Sequence, residues 1–235
     1  MCIRDSRQIA TEIRKKVLEM IFNSRGAHIG SSFSCIDILV VLYFKILKID
    51  PQKPLADERD RFLLSKGHSA PAFYLLLLEL GFLSEEDLKS FADLEGLPSH
   101  VIKGLPFIEV SSGSLGQGLS VANGIALASR LQGKRRNIYV ILGDGELDEG
   151  QIWEAAMTSS HYKLDNIIAI IDRNFKQLSG ETEETMRKEP LADKWKSFGW
   201  EVFEIENKAE KLLETLFKLD KVKGKPKVII TEWKI

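Results

Sequence analysis

GDGELDEGQIWEAAMTSSHYKLDNIIAIIDRN, residues 143–174, is the stretch whose reading decides the fold. The run just before it, Ile138 to Leu142, has no polar alternation and reads as a strand buried on both faces. Gly143 and Gly145 flank Asp144, allowing a tight bend and a close backbone approach at that strand's carboxyl end. Ile152, Ala155, Ala156 and Ser159 then share one small-residue face of a helix. Ile167 to Ile171 forms a second buried strand, ending in Asp172-Arg173-Asn174. A strand, a helix and a strand in this order predict a right-handed βαβ unit with parallel strands. Both carboxyl ends then share one sheet edge, where α/β folds bind ligands.

That geometry gives Asp144 and Asn174 a common task. If the two strands are neighbours their ends lie about 5 Å apart, or about twice that with one strand between them. In either case a carboxylate and an amide oxygen can meet on one hard cation. Mg²⁺ takes few protein oxygens and keeps its other positions for water and substrate phosphates. The glycine-flanked turn and the helix amino terminus beyond it offer amides suited to phosphate. The expectation is a Mg²⁺–diphosphate site.

Working outward, the 235 residues allow one large or two small domains with a sizeable core. The 33 basic and 34 acidic residues nearly cancel, which leaves no electrostatic footprint for nucleic acid. Cys2 and Cys35 make no disulfide framework and fit a reducing compartment. The longest apolar run near the start, Ile38 to Phe44, reads as too short to span a bilayer. No signal peptide, repeat or low-complexity segment is visible, and a soluble cytoplasmic α/β protein is expected.

The first six residues, MCIRDS, look unlike the rest of the chain and are set aside as a non-native leader, leaving 7–235 as a single domain. An amphipathic helix is predicted from Arg7 to about Asn23, then a loop from Ser24 to Ser32. Ser34 and Asp37 resemble a capping box that launches an apolar helix to about Leu47. Arg61 to Ser65 is a strand delivering Lys66-Gly67-His68, followed by a leucine-rich helix from Ala70 to Leu80. Residues 96–110 read as loop. Residues 112–118, SGSLGQG, introduce a helix whose Ala122, Gly124, Ala126 and Ala128 permit close packing. Its G-x-x-G-x-G order reverses the dinucleotide fingerprint, so a nicotinamide cofactor is a poor reading. Glu181 to Glu189 reads as solvated loop. Strands at Trp200 to Ile205 and Lys227 to Trp233 bracket a helix from Ala209 to Leu219. The alternation predicts a doubly wound, mostly parallel sheet flanked by helices.

G-D-G, a spacer of just under thirty residues and then Asn resembles the cofactor motif of thiamine diphosphate enzymes; here the spacer, Glu146 to Arg173, is 28 residues. From Arg7 onward the chain is most similar to the amino-terminal, diphosphate-binding half of transketolases. GAHIG (residues 26–30), SKGHSA (65–70), LPSHV (97–101, a loose match) and SGSLGQG stand in the order that family uses.

The resemblance implies a transferase moving a two-carbon ketol unit between sugar phosphates. It implies thiamine diphosphate and Mg²⁺ (or Ca²⁺ or Mn²⁺), with Asp144, Asn174 and the backbone carbonyl of Lys176 on the metal. It places the amide of Gly145 and His68 on the diphosphate, and backbone groups of Gly113 and Leu115 on the aminopyrimidine. Glu149 resembles a glutamate at the subunit interface beside the cofactor. His28 and His100 would face the substrate as proton carriers, a task suited to imidazoles of near-neutral pKa; His161 reads as structural.

The carboxylate that activates the aminopyrimidine lies, in this family, in a pyrimidine domain that the 235 residues do not include. The resemblance therefore implies a partner subunit carrying it, in a homodimer or heterotetramer, and little turnover without one. The ending TEWKI is where related sequences run on, so a split subunit and a truncated piece remain open. Other readings are a deoxyxylulose-phosphate synthase-like enzyme, a 2-oxo acid dehydrogenase first subunit, or a non-catalytic cofactor-binding subunit.

Overall fold

A computed structural model describes residues 3–26 and 28–233. Cys2, Ala27 of the GAHIG loop and the last two residues of TEWKI lie outside them. The helices are α1 (Ile3–Asn23), α2 (Ile29–Val41), α3 (Ala70–Glu79), α4 (Glu85–Lys89), α5 (Gln117–Leu131), α6 (Gly150–His161), α7 (Thr182–Thr185), α8 (Leu191–Ser197) and α9 (Ala209–Lys218). The strands are β1 (Arg61–Leu64), β2 (Ile138–Gly143), β3 (Ile167–Arg173), β4 (Lys176–Gln177), β5 (Gly180–Glu181), β6 (Glu201–Glu206) and β7 (Lys227–Glu232). Five of them form one parallel sheet in the order β1-β2-β3-β7-β6, and β4 and β5 pair as a small antiparallel hairpin.

Alternation along the strands sorts the core into two layers. Phe62, Leu64, Tyr139, Ile141, Ile168, Ile170 and Ile229 pack under α1, α2, α3 and α9. Leu63, Ile138, Val140, Leu142, Ile167, Ala169, Ile171, Val228 and Ile230 pack under α5, α6 and α8. Both faces of β2 and β3 are therefore dry, which is why their sequences show no polar alternation. The steps from β1 to β2, β3 and then β6 run one way across the sheet and place α5, α6 and α8 on one face. The return from β6 to β7 reverses direction and puts α9 on the other face, as a constant crossover hand requires. β2 and β3 are direct neighbours with Gly143 opposite Asp172, so the shorter of the two expected separations holds.

Four local expectations need correction. α2 begins at Ile29, directly after His28 in a left-handed conformation (φ 72°), so residues 29–32 are helix rather than loop. Ser34 is consequently inside α2, where its hydroxyl bonds Asp172, and does not cap it. On α5, Ala122 and Ala126 are buried while Gly124 and Ala128 face outward, because residues two apart fall on opposite sides of a helix. The acidic segment 181–189 is not simply solvated. Thr182 is fully buried, and Glu183 and Glu189 pair with the buried Arg173.

α2 runs on through a π-helical turn, Leu42–Ile46, and Ile29–Ile46 is an 18-residue helical stretch of mean hydropathy 1.7. By length and composition it could cross a membrane, contrary to the expectation from the shorter run. Its apolar residues Cys35, Ile36 and Ile38 to Leu42 instead lie in the core beside α1 and α3.

Candidate functional site

The carboxyl edge of β1, β2 and β3 opens into a cleft of about 540 Å³. His28, His68, His100, Gly113, Leu115, Asp144, Gly145, Glu149, Asn174 and Lys176 all line it. Six chain segments supply them: the turn before α2, the turn after β1, the loop after α4, the turn into α5, the loop after β2 and the loop after β3. His161, at the far end of α6, packs edge-on against Tyr162 at 4.8 Å, away from the cleft.

Asp144 follows β2 and is held on both carboxylate oxygens. Oδ1 accepts the Gly145 N–H at 2.9 Å and Oδ2 the Phe175 N–H at 2.8 Å. The Gly145 N–H, which the resemblance places on the diphosphate, is thus directed at Asp144 Oδ1. The position nonetheless needs glycine, because an added Cβ would lie 2.7 Å from Cβ of Gln177. Burial, seconded by the nearby Asp172, pushes the Asp144 carboxyl up to about 6 against the pull of the Phe175 amide and Lys66.

The β3 strand ends in Asp172-Arg173-Asn174. Asp172 pairs with the ammonium of Lys66, which also donates to the Ser31 carbonyl at 3.0 Å. Burial pulls the Lys66 pKa down, but Asp172, with help from Cys35 and Asp144, pulls it up, and the net direction is upward. Asn174 approaches Ser34 Oγ through Nδ2 at 3.3 Å and the Lys176 N–H through Oδ1 at 2.9 Å. Phe175 turns the chain with φ 61°, and its ring lies 4.7 Å from the Arg173 guanidinium.

Glu146 fastens the turn. Oε1 accepts the Ser65 hydroxyl and the Gly116 N–H (2.8 Å), and Oε2 accepts the Gly143 N–H at 3.0 Å. It thereby joins the ends of β1 and β2 to the start of α5. Sequence reasoning missed Glu146, Lys66, Asp172, Ser34 and Arg173. A charged residue abutting the glycine turn, and one directly after the β1 strand, were the available signals.

Three imidazoles stand together at the mouth. The His28 ring centroid is 5.1 Å from that of His68 and 6.5 Å from that of His100. The Tyr74 hydroxyl holds the His100 loop by sharing its one proton between the carbonyls of Pro98 (3.0 Å) and His100 (3.1 Å). Burial, then Lys66 and the other two histidines, lower the His68 pKa to about 3; burial, then His100 and Lys66, lower that of His28. Both rings are neutral at pH 7, so they offer N–H donors and proton acceptors but no fixed charge.

A divalent cation fits this donor set. Asp144 and Glu146 are each 1% exposed and Asp172 is fully buried, while Lys66 is the buried ammonium facing them. Among the described residues no three His, Cys, Asp or Glu side chains converge on a metal. One carboxylate, one amide oxygen and one backbone carbonyl is instead a hard, sparse set of the kind Mg²⁺ accepts when phosphate completes it.

Residues 5–235 match the sequence profile of "Transketolase, thiamine diphosphate binding domain". One subunit of an apulose-4-phosphate transketolase from Phocaeicola vulgatus is 42% identical over 220 residues, 93% of this chain and 78% of that protein. The "6-deoxy-6-sulfo-D-fructose transketolase subunit SqwG" of a Clostridium species is 42% identical over 230 residues, 96% of this chain and 83% of that one. The crystal structure of a transketolase from Campylobacter jejuni superposes with a TM-score of 0.92 at 31% identity, covering 99% of this chain and 38% of that one. The chain therefore spans most of these two single-subunit relatives and little more than a third of the solved enzyme.

Proposed function

The chain belongs to the transketolase family as its thiamine diphosphate-binding domain, and from that premise we propose that it is the cofactor-holding subunit of a two-chain, Mg²⁺-dependent transketolase. The reaction is transfer of a two-carbon ketol unit from a ketose phosphate to an aldose phosphate. The observation that carries this reading is that one cleft gathers the three histidines, the turn into α5, Asp144 and Asn174.

Asp144, Asn174 and the Lys176 carbonyl hold the cation. Glycine at 145 leaves room for the diphosphate at the end of β2, and Gly113 and Leu115 receive the aminopyrimidine. Thiamine diphosphate, when bound, supplies the carbanion chemistry for carbon–carbon cleavage. His68 meets the diphosphate as a neutral donor, so the cation and the backbone carry most of the charge neutralisation. His28 and His100 move protons to and from the sugar hydroxyls, His28 as an imidazole that is neutral and able to accept one. Glu149, exposed beside Gly116, meets the subunit that brings the pyrimidine domain. The relatives' names refer to two different ketoses, so the proposal is a reaction class rather than one sugar.

Thermal unfolding with Mg²⁺ alone, thiamine diphosphate alone and both together tests the reading. Stabilisation should require both, reaching about 2.7 kcal/mol at a ligand concentration a hundredfold above Kd. Asp144→Ala should remove it. An Asp144→Ala protein that responds as the unsubstituted protein does would refute the site.

A further inference from the structure

We propose that Ser34, backed by the buried Lys66–Asp172 pair, is a positioning residue that fixes which way the Asn174 amide faces and hence which atom a cation meets. The inference rests on Asn174 being a metal ligand, as proposed above.

Hydrogen-bond direction fixes the amide. The Lys66 ammonium only donates, and the Asp172 carboxylate that faces it only accepts. Ser34 Oγ lies 2.6 Å from Asp172 Oδ2 and 3.3 Å from the Ser31 carbonyl. Both of these are acceptors, so the single hydroxyl proton of Ser34 is committed to one of them, and the shorter contact to Asp172 takes it. Toward Asn174, at 3.3 Å, Ser34 therefore has only a lone pair to offer. The Asn174 atom facing it must be the donor nitrogen.

A second constraint acts from the opposite side. The Lys176 backbone N–H lies 2.9 Å from the other Asn174 atom, and a backbone N–H cannot accept. That atom must be the oxygen. The two constraints come from elements far apart in sequence, α2 and the loop after β3, yet they select the same rotamer of the amide. Rotated the other way, Asn174 would set donor against donor at Lys176 and leave Ser34 without a donor. It would also turn an NH₂ group, which no cation binds, toward the Lys176 loop. Ser34 thus acts on the metal through Asn174, with no contact to the metal required of it.

Supporting partners of this kind change metal affinity by about 10- to 100-fold when removed. The test measures Mn²⁺ retention by the full chain in the presence of thiamine diphosphate, from the electron paramagnetic resonance signal of free Mn²⁺. Ser34→Ala keeps a residue favourable to helix inside α2 and should weaken Mn²⁺ binding by at least about tenfold. Ser34→Thr, which restores the hydroxyl, should recover most of the affinity. A readout independent of metal is solvent exchange of the Asn174 side-chain amide protons, recognised by their absence in Asn174→Asp. One of the two should exchange several-fold more slowly than the other in the unsubstituted protein, and the difference should vanish in Ser34→Ala. Equal Mn²⁺ affinity in Ser34→Ala, with the unsubstituted protein binding normally, overturns the inference and spares the metal site. No Mn²⁺ retention by the unsubstituted protein overturns the metal assignment, and the inference with it.

Discussion

Replacing Asp144 by asparagine should stabilise the metal-free protein at neutral pH while abolishing its response to Mg²⁺. The buried carboxyl has been moved from 3.8 to about 6. At roughly 1.4 kcal/mol per pKa unit, keeping it ionised above pH 6 costs the folded state about 3 kcal/mol. Asparagine removes that cost but offers one acceptor oxygen where Asp144 accepts from both the Gly145 and Phe175 amides. The forfeited bond offsets about 1–2 kcal/mol. The net gain is about 1–2 kcal/mol, or a rise in midpoint temperature of roughly 2–8 °C for a chain of this length.

The pH dependence follows from the direction of the shift. A carboxyl raised in the folded state destabilises it as pH climbs from the unfolded value toward the folded one, and no further above that. The advantage of the variant should therefore grow by about 1.4 kcal/mol between pH 5 and pH 8, most of it below pH 7. Urea unfolding of both proteins across that range, with chelator present, measures the difference. Adding Mg²⁺ and thiamine diphosphate should then reverse the ranking, because only the unsubstituted protein gains. A pH-independent difference, or a variant less stable than the parent at pH 8, would refute the claim that this carboxylate is held at a cost.

Lys66→Met should destabilise the fold by about 3–5 kcal/mol in urea, since it leaves Asp172 as an uncompensated buried charge; Asp172→Asn in the same protein should restore much of that. A loss below about 1 kcal/mol for Lys66→Met would contradict the pairing. In NMR titration of the metal-free protein, the His68 ring should stay neutral from pH 8 to pH 5, given its value of about 3. Binding of the cofactor's anionic diphosphate should raise its midpoint, and an unperturbed midpoint near 6.5 in the free protein would show the ring to be more solvated than the structure has it.

What the sequence disclosed was local. The run from Ile138 to Leu142, the glycines around Asp144 and the small face of α6 each announce their conformation within a few residues, and β2, α6 and β3 form where those patterns stand. Ser34 shows the limit. Ser-x-x-Asp reads as a capping box whether it opens a helix or sits within one, and only His28 in its left-handed turn shows that α2 has already begun. The charged layer beneath the cleft was not legible either. Lys66 and Asp172 are 106 residues apart, and Ser34 and Asp172 are 138 apart. No window along the chain contains such a pair. The acidic segment misled in another way, because Glu183 and Glu189 look like solvent-facing acids until the strand end that carries Arg173 is placed beneath them.

The clasp made by Glu146 bears on how far the motif can travel. Its partners, Ser65 and Gly116, lie 81 and 30 residues upstream, in segments that no version of the 143–174 stretch includes. A graft of those residues into another parallel sheet would carry the bend, two of the three proposed metal ligands and the Gly143 N–H, yet leave a buried acid without its other two donors. Such transplants should keep the strand–helix–strand path and fail to bind, unless the end of β1 and the entry to α5 are moved with them. As a unit of inheritance or of engineering, the site is the whole carboxyl edge of the sheet and not the signature by which it is recognised.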